Sequence, residues 1–478
     1  MAAEDDEWTV KANDVFTISL VTKSEDGPPK TIASFQPKWT YPIFGDEETI
    51  YGYKGLKINL RYNASDMRPH FSHTKSQAVP LDAAEQDVTD IQEVMERDLP
   101  QDLVAFGKKA DFDTAVKTAP DDWKPPGTLI ETLQGADDTY EIWQGRLDDP
   151  AVLQIVRRIQ ILVSLFIEGG SPIRTESSDE YEADNLDRWT VFFLYHKRPV
   201  PNKSGQFTYV FAGYSTVFRM YILQPPSAPI ATNFELPTET IPFSEFPCRS
   251  RIAQFIILPP FHKKGNGMRL YSRIYKTLLD DSKTVEITVE DPNEDFDVVR
   301  DMADMMFLRE QPDWNELVQI NSNIEIRRSG VLPHIVLDKK TLEGLRHKYK
   351  IASRQFNRLV EMHTFFKLPS SVRPTLGIEE DSTDKKKPTP PERHEYKLWK
   401  LLSKSRIYAQ NKEVMSQLEP DERIQKLDET LVAVELEYAF LLVRYETRKA
   451  AQLESGGKKR KAGVDDRVNG KKARVENV

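Results

Sequence analysis

Cysteine is almost missing from this chain: Cys248 is the single one among 478 residues. One thiol excludes a disulfide framework and any cysteine-based metal site, and it fits a reducing compartment. Long apolar runs are missing too. Stretches such as ILVSLFI, 161–167, fall far short of the roughly 20 residues that a membrane-spanning helix needs. The opening MAAEDDEWTV is acidic where a secretory leader would be basic and then apolar, so no leader is expected. There is no basic excess either. The chain has 66 lysines and arginines against 75 acids, a net charge of −9. Binding nucleic acid through the overall field is therefore not expected, whereas acids gathered on one surface would attract a basic partner. Plain solubility gives the same balance. G-x-x-x-x-G-K-[ST], G-x-G-x-x-G, H-E-x-x-H and G-x-S-x-G are all absent. His70 and His73 have a metal-like spacing but no obvious third ligand. They read as surface-loop histidines, and no metal is expected.

What is present reads as a soluble globular protein, 39% hydrophobic and 29% charged, long enough for two or three domains. In KGLKINLRY, Leu56, Ile58, Leu60 and Tyr62 alternate with Lys57, Asn59 and Arg61, the pattern of a half-buried strand. AVLQIVRRIQILVSLFIEGG, 151–170, reads as a buried helix closed by Gly169 and Gly170. RWTVFFLYHKR and FTYVFAGYSTVFRMYIL read as adjacent strands. RIAQFIIL and TVEITVED read as two more, with a helix between them. This order predicts an α/β (α+β) chain in four segments. They are an N-terminal mixed α/β domain over 1–180, a mixed-sheet core over 181–320, a C-terminal helical domain over 321–455, and a disordered basic tail over 456–478. A polar, proline-rich linker at 369–396 interrupts the helical domain.

One junction stands out. In RIAQFIILPPFHKKGNGMRLYSRIYKTLLD, 251–280, an apolar strand breaks at two prolines and passes through His262, Lys263, Lys264, Gly265, Asn266 and Gly267. It continues with Leu270, Ile274 and Leu278 at helical spacing. Glycines let a ligand come close to the backbone. A helix starting there opens with N–H groups that lack helical partners and with a partial positive charge. Together these form an anion site suited to a pyrophosphate. An ordinary strand-to-helix turn would show the same two glycines. The next strand shifts the balance. Val285, Ile287 and Val289 alternate inward, and the strand ends on Glu290 and Asp291, two carboxylates one element away from the turn. A charged strand end before the turn residue Pro292 is the plainer explanation of that pair.

The x-x-G-x-G turn between strand and helix resembles the cofactor motif of the Gcn5-related N-acetyltransferases, which bind acetyl-coenzyme A (acetyl-CoA). More specifically, RIAQFIILPPFHKKGNG and EITVEDPNEDFDVVRD resemble the type B histone acetyltransferase catalytic subunits. FGDEETIYGYKGLKI near the N-terminus and LFIEGGS near residue 168 are similar to the same family. The likeness covers about residues 35–320, in one order. His262 departs from it, because the family usually carries Gln or Arg there.

The resemblance implies a mixed-sheet acetyltransferase core with an N-terminal α/β domain and a C-terminal helical extension, the core segment binding acetyl-CoA. Phe255, Ile256 and Ile257 would line the pantetheine arm through backbone hydrogen bonds. His262, Lys263, Lys264, Gly265, Asn266, Gly267 and Met268 would hold the pyrophosphate. Asn293 and Phe296 would contact the cofactor from the far side. Glu290 would be the general base, with Glu168 and Asp291 able to share that role. Asp46, Glu47 and Glu48, with Phe218, Arg219 and Met220, fall where the family contacts the histone tail. The implied substrate is the N-terminal tail of free, newly made histone four, and the implied partner is a β-propeller histone chaperone subunit. The loop 224–247 is a candidate docking segment. Lys458–Lys461 and Lys471–Arg474 resemble a two-part nuclear import signal, so cytoplasm and nucleus are the expected locations. Two other readings stay open: an N-acetyltransferase for another basic tail or small amine, and a non-catalytic histone-binding scaffold.

Overall fold

The alternation near the N-terminus builds a four-stranded sheet from β1 (Phe16–Thr22), β2 (Lys30–Phe35), β3 (Lys57–Asn63) and β4 (Pro69–Thr74), in the order β2-β1-β3-β4. β1 and β3 are parallel and the other pairs antiparallel. Ile58, Leu60 and Tyr62 are fully buried, as the alternation predicts, and Ile18 and Leu20 share that core. His70 and His73 lie on β4 and not in a surface loop. His70 is buried, with Nε2 3.2 Å from the Gly107 carbonyl and its ring against Phe112. Among the described residues no His, Cys, Asp and Glu group gathers as a metal site would require.

The structure is a computed structural model. It describes the chain apart from residues 1–6, 25–26, 81–83, 85, 101–103, 136–137, 178–183, 201–204, 223–245, 327–332, 375, 377–386 and 473–478. The side chains of 104, 334–335 and 452–472 are also outside the description. The chain divides into two compact units, Met1–Asp291 and Pro292–Val478.

The second sheet of the first unit has six strands: β5 (Thr128–Gln134), β6 (Thr139–Arg146), β7 (Trp189–Pro199), β8 (Phe207–Tyr221), β9 (Cys248–Ile257) and β10 (Thr284–Val289). Their order is β10-β9-β8-β7-β6-β5, so the sheet takes two strands from before residue 180. Neighbours are antiparallel except β9 and β10, which run parallel. A parallel pair needs a crossover, and α4 (Asn266–Asp280) supplies it. Leu270, Ile274 and Leu278 are buried on α4, with Tyr271 and Tyr275 beside them on the same stripe. On β10, Ile287 is buried, while Val285 and Val289 are half-buried, as suits an edge strand. The single predicted helix over 151–170 is two, α2 (Pro150–Ile159) and α3 (Ile161–Phe166), meeting at Gln160. Asp149 caps α2 by accepting from the Ala151 and Val152 N–H groups. A short helix, α1 (Tyr41–Phe44), precedes the acidic turn 46–48.

The second unit is helical: α5 (Glu294–Leu308), α6 (Ser353–Lys367), α7 (Pro390–Gln410) and α8 (Pro420–Lys472), with Lys339–Lys348 and shorter turns between. Thr389 and Glu392 form a capping box that starts α7 inside the expected linker. Trp314, Trp399 and Tyr438 are fully buried here. Glu361, 6% exposed, accepts from Arg406 at 2.6 and 2.8 Å and from the Tyr438 hydroxyl at 3.2 Å, so its charge is buried but satisfied. The loop 224–247 lies almost wholly outside the described residues, as do the side chains of the basic tail.

His363 on α6 is fully buried against Trp314, and neither ring nitrogen has a hydrogen-bond partner among the described residues. Burial, with Lys367 and Arg309 nearby, pushes its pKa down to about 3. The folded state then binds fewer protons than the unfolded chain between about pH 3 and 6.5. Stability carried by this group is complete above about pH 6.5 and is lost as pH falls toward 3. His363→Leu is expected to lose less stability than the parent between pH 7 and 4. Urea melts at both pH values check this, and equal acid losses in parent and variant would contradict it.

Candidate active site

β9 pairs with β8 along its length, from Cys248 opposite Tyr221 to Ile257 opposite Gly213. Its ladder with β10 is shorter. It ends at Ile252 opposite Val289, where the Glu290 N–H donates to the Ile252 carbonyl at 2.9 Å. Beyond that point, among the described residues, β9 has a strand neighbour on one side only. A register shift opposite Ser215–Val217 resets its alternation. The Gln254 N–H then donates to Thr216 Oγ1 and the Leu258 N–H to the Ala212 carbonyl, both on β8 or at its level. Strand alternation turns the backbone groups of Phe255 and Ile257 the other way, toward the side that β10 has left. An extended ligand arm can add to a strand there as another strand would. His262 Nε2 donates to the Ile257 carbonyl at 2.5 Å, which ties the far end of β9 to the turn that follows.

That turn runs from a 3-10 segment, Pro259–Phe261, into α4. The helix starts at Asn266, with Gly265 as N-cap, so Gly267 sits in the first turn and not ahead of it. The two left-handed positions are Lys263 (φ 60°) and Gly265 (φ 77°). A non-glycine residue there costs roughly 1–3 kcal/mol, a strain met most often at functional sites. Gly265 has no side chain to cap the helix, and a Cβ built on it would meet no atom within 4 Å. The N-cap of α4 thus carries no side chain and leaves room beside the helix's first N–H groups and the positive end of its dipole. Asn266 is buried, with Nδ2 donating to the Phe261 carbonyl at 3.1 Å. Its Oδ1 has no partner among the described residues. His262, Lys263 and Lys264 are exposed around this cradle. The donor set fits a diphosphate.

The carboxylates come from two flanks of β9. Glu290, where the β10 ladder ends, is exposed and ion-paired with Arg251 at 3.2 Å. Asp291 is exposed at φ 32°, a positive φ where the residue before a proline ordinarily takes extended backbone. Glu168 is exposed on the turn after α3, where Gly169 takes φ 66°. Three residues on, the Ser171 carbonyl accepts from Gln254 on β9 at 3.0 Å. Glu290 and the Glu168 turn thus meet β9 within three residues of each other, at Ile252 and Gln254. Cys248 is also on β9, but it is buried at the opposite end from Ile257.

The segments named for tail binding split. Asp46 and Glu47 are exposed. Glu48 faces inward: its Oε1 accepts from the Thr40 N–H at 2.6 Å, from the Tyr41 N–H at 3.1 Å and from the Thr40 hydroxyl at 3.2 Å. The Thr40 amide above all holds its pKa below the usual carboxylate range. This turn adjoins the Glu168 turn, because the Gly169 N–H donates to the Tyr41 hydroxyl at 2.8 Å and the Lys38 and Trp39 N–H groups donate to the Leu165 carbonyl. Phe218, Arg219 and Met220 are half-buried at the end of β8. Phe218 lies opposite Arg251 and against Trp189, and Arg219 pairs with Asp281 at 3.3 Å. Phe218, Arg251 and Thr288 are cross-strand neighbours, and Glu290 follows two residues after Thr288 on the same face. Asn293 opens the second unit as N-cap of α5, accepting from the Phe296 N–H at 2.9 Å.

The sequence reading missed Tyr41, Arg251, Gln160 and Gln254. Only Gln254 left a signal, as the polar interruption of an apolar strand.

Comparison with known proteins places the chain in a family. A family profile described as "Histone acetyl transferase HAT1 N-terminus" matches residues 8–168, and one described as "Fungal HAT1, C-terminal" matches 317–368. A histone acetyltransferase type B catalytic subunit of Pyricularia oryzae is 46% identical over 483 residues, covering 100% of both chains. Proteins of the same description from Gibberella zeae and Neurospora crassa are 45% and 44% identical, covering 99% and 94% of this chain and 99% and 91% of their own. The chain belongs to the family of type B histone acetyltransferase catalytic subunits.

Proposed function

We propose that this chain transfers the acetyl group of acetyl-CoA to lysine side chains in the N-terminal tail of free, newly synthesised histone four. Family membership supports histone acetylation. The observation that carries the chemistry is the open side of β9, which ends on a side-chain-free helix start and is flanked by Glu290. Acetyl-CoA supplies the acyl thioester. Phe255 and Ile257 take the pantetheine arm along the strand, with Ile256 between them turned to Tyr214 on β8 and buried, and residues 262–268 take the diphosphate through backbone N–H groups with Lys263 and Lys264 beside them. We assign Asn293 and Phe296 to the cofactor on the resemblance alone.

A lysine ammonium cannot attack a thioester, and its ordinary pKa of about 10.4 leaves little free amine at neutral pH. Glu290, directly or through one water, removes the proton as the amine reaches the carbonyl, and Glu168 and Asp291 are the alternates. A backbone N–H near Ile257 stabilises the developing oxyanion. Attack is direct, in a complex holding both substrates: the amide C–N bond forms, the acyl C–S bond breaks, and the sulfur leaves with the coenzyme as its thiol. Asp46 and Glu47 attract the basic tail, Glu48 holds their turn in shape, and Phe218, Arg219 and Met220 flank the tail's path. The β-propeller chaperone partner, its docking through 224–247, and residence in cytoplasm and nucleus are further parts of this proposal. They rest on the family resemblance and, for import, on the two basic clusters of the tail.

Three measurements test it. Glu290→Gln is expected to lower kcat about 100-fold or more while the coenzyme A Kd stays within about twofold. A kcat equal to the parent's would move the base to Glu168 or Asp291. Gly265→Val places a branched side chain at φ 77° over the cradle and is expected to weaken coenzyme A at least about tenfold by calorimetry. An unchanged Kd would remove the diphosphate from this turn. Asp46→Asn with Glu47→Gln is expected to raise KM for a histone four tail peptide several-fold at low salt, with the gap closing at high salt. A gap independent of salt would take the steering role from this turn.

A further inference from the structure

Gln254 interrupts the apolar run of β9, and its side chain is 4% exposed. Burying an amide is costly unless its hydrogen bonds are made, and here they are. Its Oε1 accepts from the buried Tyr214 hydroxyl at 3.0 Å and from Gln160 Nε2 at 3.4 Å. Its Nε2 donates to Gln160 Oε1 at 3.3 Å and to the Ser171 carbonyl at 3.0 Å. Gln160, where α2 meets α3, also accepts from the Ile173 N–H at 2.6 Å. The two glutamines form a reciprocal amide pair that grips segment 168–173 at Ser171 and Ile173. That segment has no helix or strand of its own to hold it. A leucine would fill the same volume more cheaply, so the amides serve geometry.

We propose that the Gln254–Gln160 pair is a positioning device that fixes the Glu168 turn to β9, one residue before the stretch Phe255–Ile257. In this role neither glutamine touches a substrate. Gln254 is a positioning residue, acting through the turn it holds. The inference rests on the proposed active site, because the turn matters to catalysis only if Glu168 does.

The test uses the full chain, acetyl-CoA and a histone four tail peptide. Gln254→Glu keeps the oxygen that accepts from Tyr214 and Gln160 and removes the N–H donors to Gln160 Oε1 and Ser171, at the cost of burying an acid, whereas Gln254→Met removes donors and acceptor together while staying apolar and similar in size. Both variants, Glu168→Gln, and the double variant Glu168→Gln with Gln254→Glu are compared in kcat, coenzyme A Kd and Tm. For Gln254→Glu the expected result is a kcat about 10–100-fold lower, the loss that misplacing a reacting group by an ångström produces, with Kd within about twofold. The double variant should be no slower than the slower single variant, because both changes disable one unit. Losses that multiply, or a Kd that weakens in step with kcat, would overturn the positioning role. So would a Gln254→Glu enzyme as fast as the parent beside a slow Glu168→Gln. If Glu168→Gln alone runs at the parent rate, the inference falls with the role of Glu168, and a slow Glu290→Gln would still leave the wider active-site reading standing.

Discussion

The site depends on where one hydrogen-bond ladder stops. β9 and β10 pair in parallel as far as Ile252 and Val289, and then β9 continues without β10 for five residues. A sheet interior has no free backbone to offer, because each strand satisfies its neighbours. Ending the ladder early turns a buried structural strand into a strand with an open side, and it does so beside the start of α4 and directly at Glu290. Backbone groups, helix dipole and carboxylate are therefore set by one topological event, the crossover from β9 through α4 to β10. Side chains add to this frame. His262 ties the end of β9 to the turn, and Arg251 holds Glu290.

The three stretches that resemble the family lie more than 200 residues apart at their extremes, yet specific hydrogen bonds join them. Tyr41 meets Gly169, and Ser171 meets Gln254. The acidic turn near Asp46, the turn carrying Glu168 and β9 thus form one connected body within the first unit. Glu48 shows how an acid in such a place can serve shape instead of charge, since it accepts three hydrogen bonds from Thr40 and Tyr41.

Elements with strong periodicity were legible in the sequence. Ile58, Leu60 and Tyr62 on β3, and Leu270, Ile274 and Leu278 on α4, are buried as their spacing requires. The glycine turn was legible as a junction between a strand and a helix, but not its detail. Lys263 carries one of the two left-handed positions, and no local rule assigns that to lysine over a neighbouring glycine. His70 was misread because its polar neighbours hid a strand whose partner, β3, sets its burial. The inward turn of Glu48 and the grip of Gln254 depend on contacts 7 to 94 residues away along the chain, beyond the reach of any local pattern. The sheet reaches back before residue 180 for the same reason: strand pairing is settled by distant partners.

The central claim is that backbone amides on the open side of β9 and at the start of α4 grip the coenzyme. Amide hydrogen exchange on the full chain, with and without coenzyme A, tests it most directly. The account predicts that added coenzyme slows exchange at Phe255, Ile257 and Gly265–Met268, and leaves the paired amides of β7 unchanged. Exchange at those positions unaltered by saturating coenzyme, with protection arising elsewhere in the chain, would contradict it.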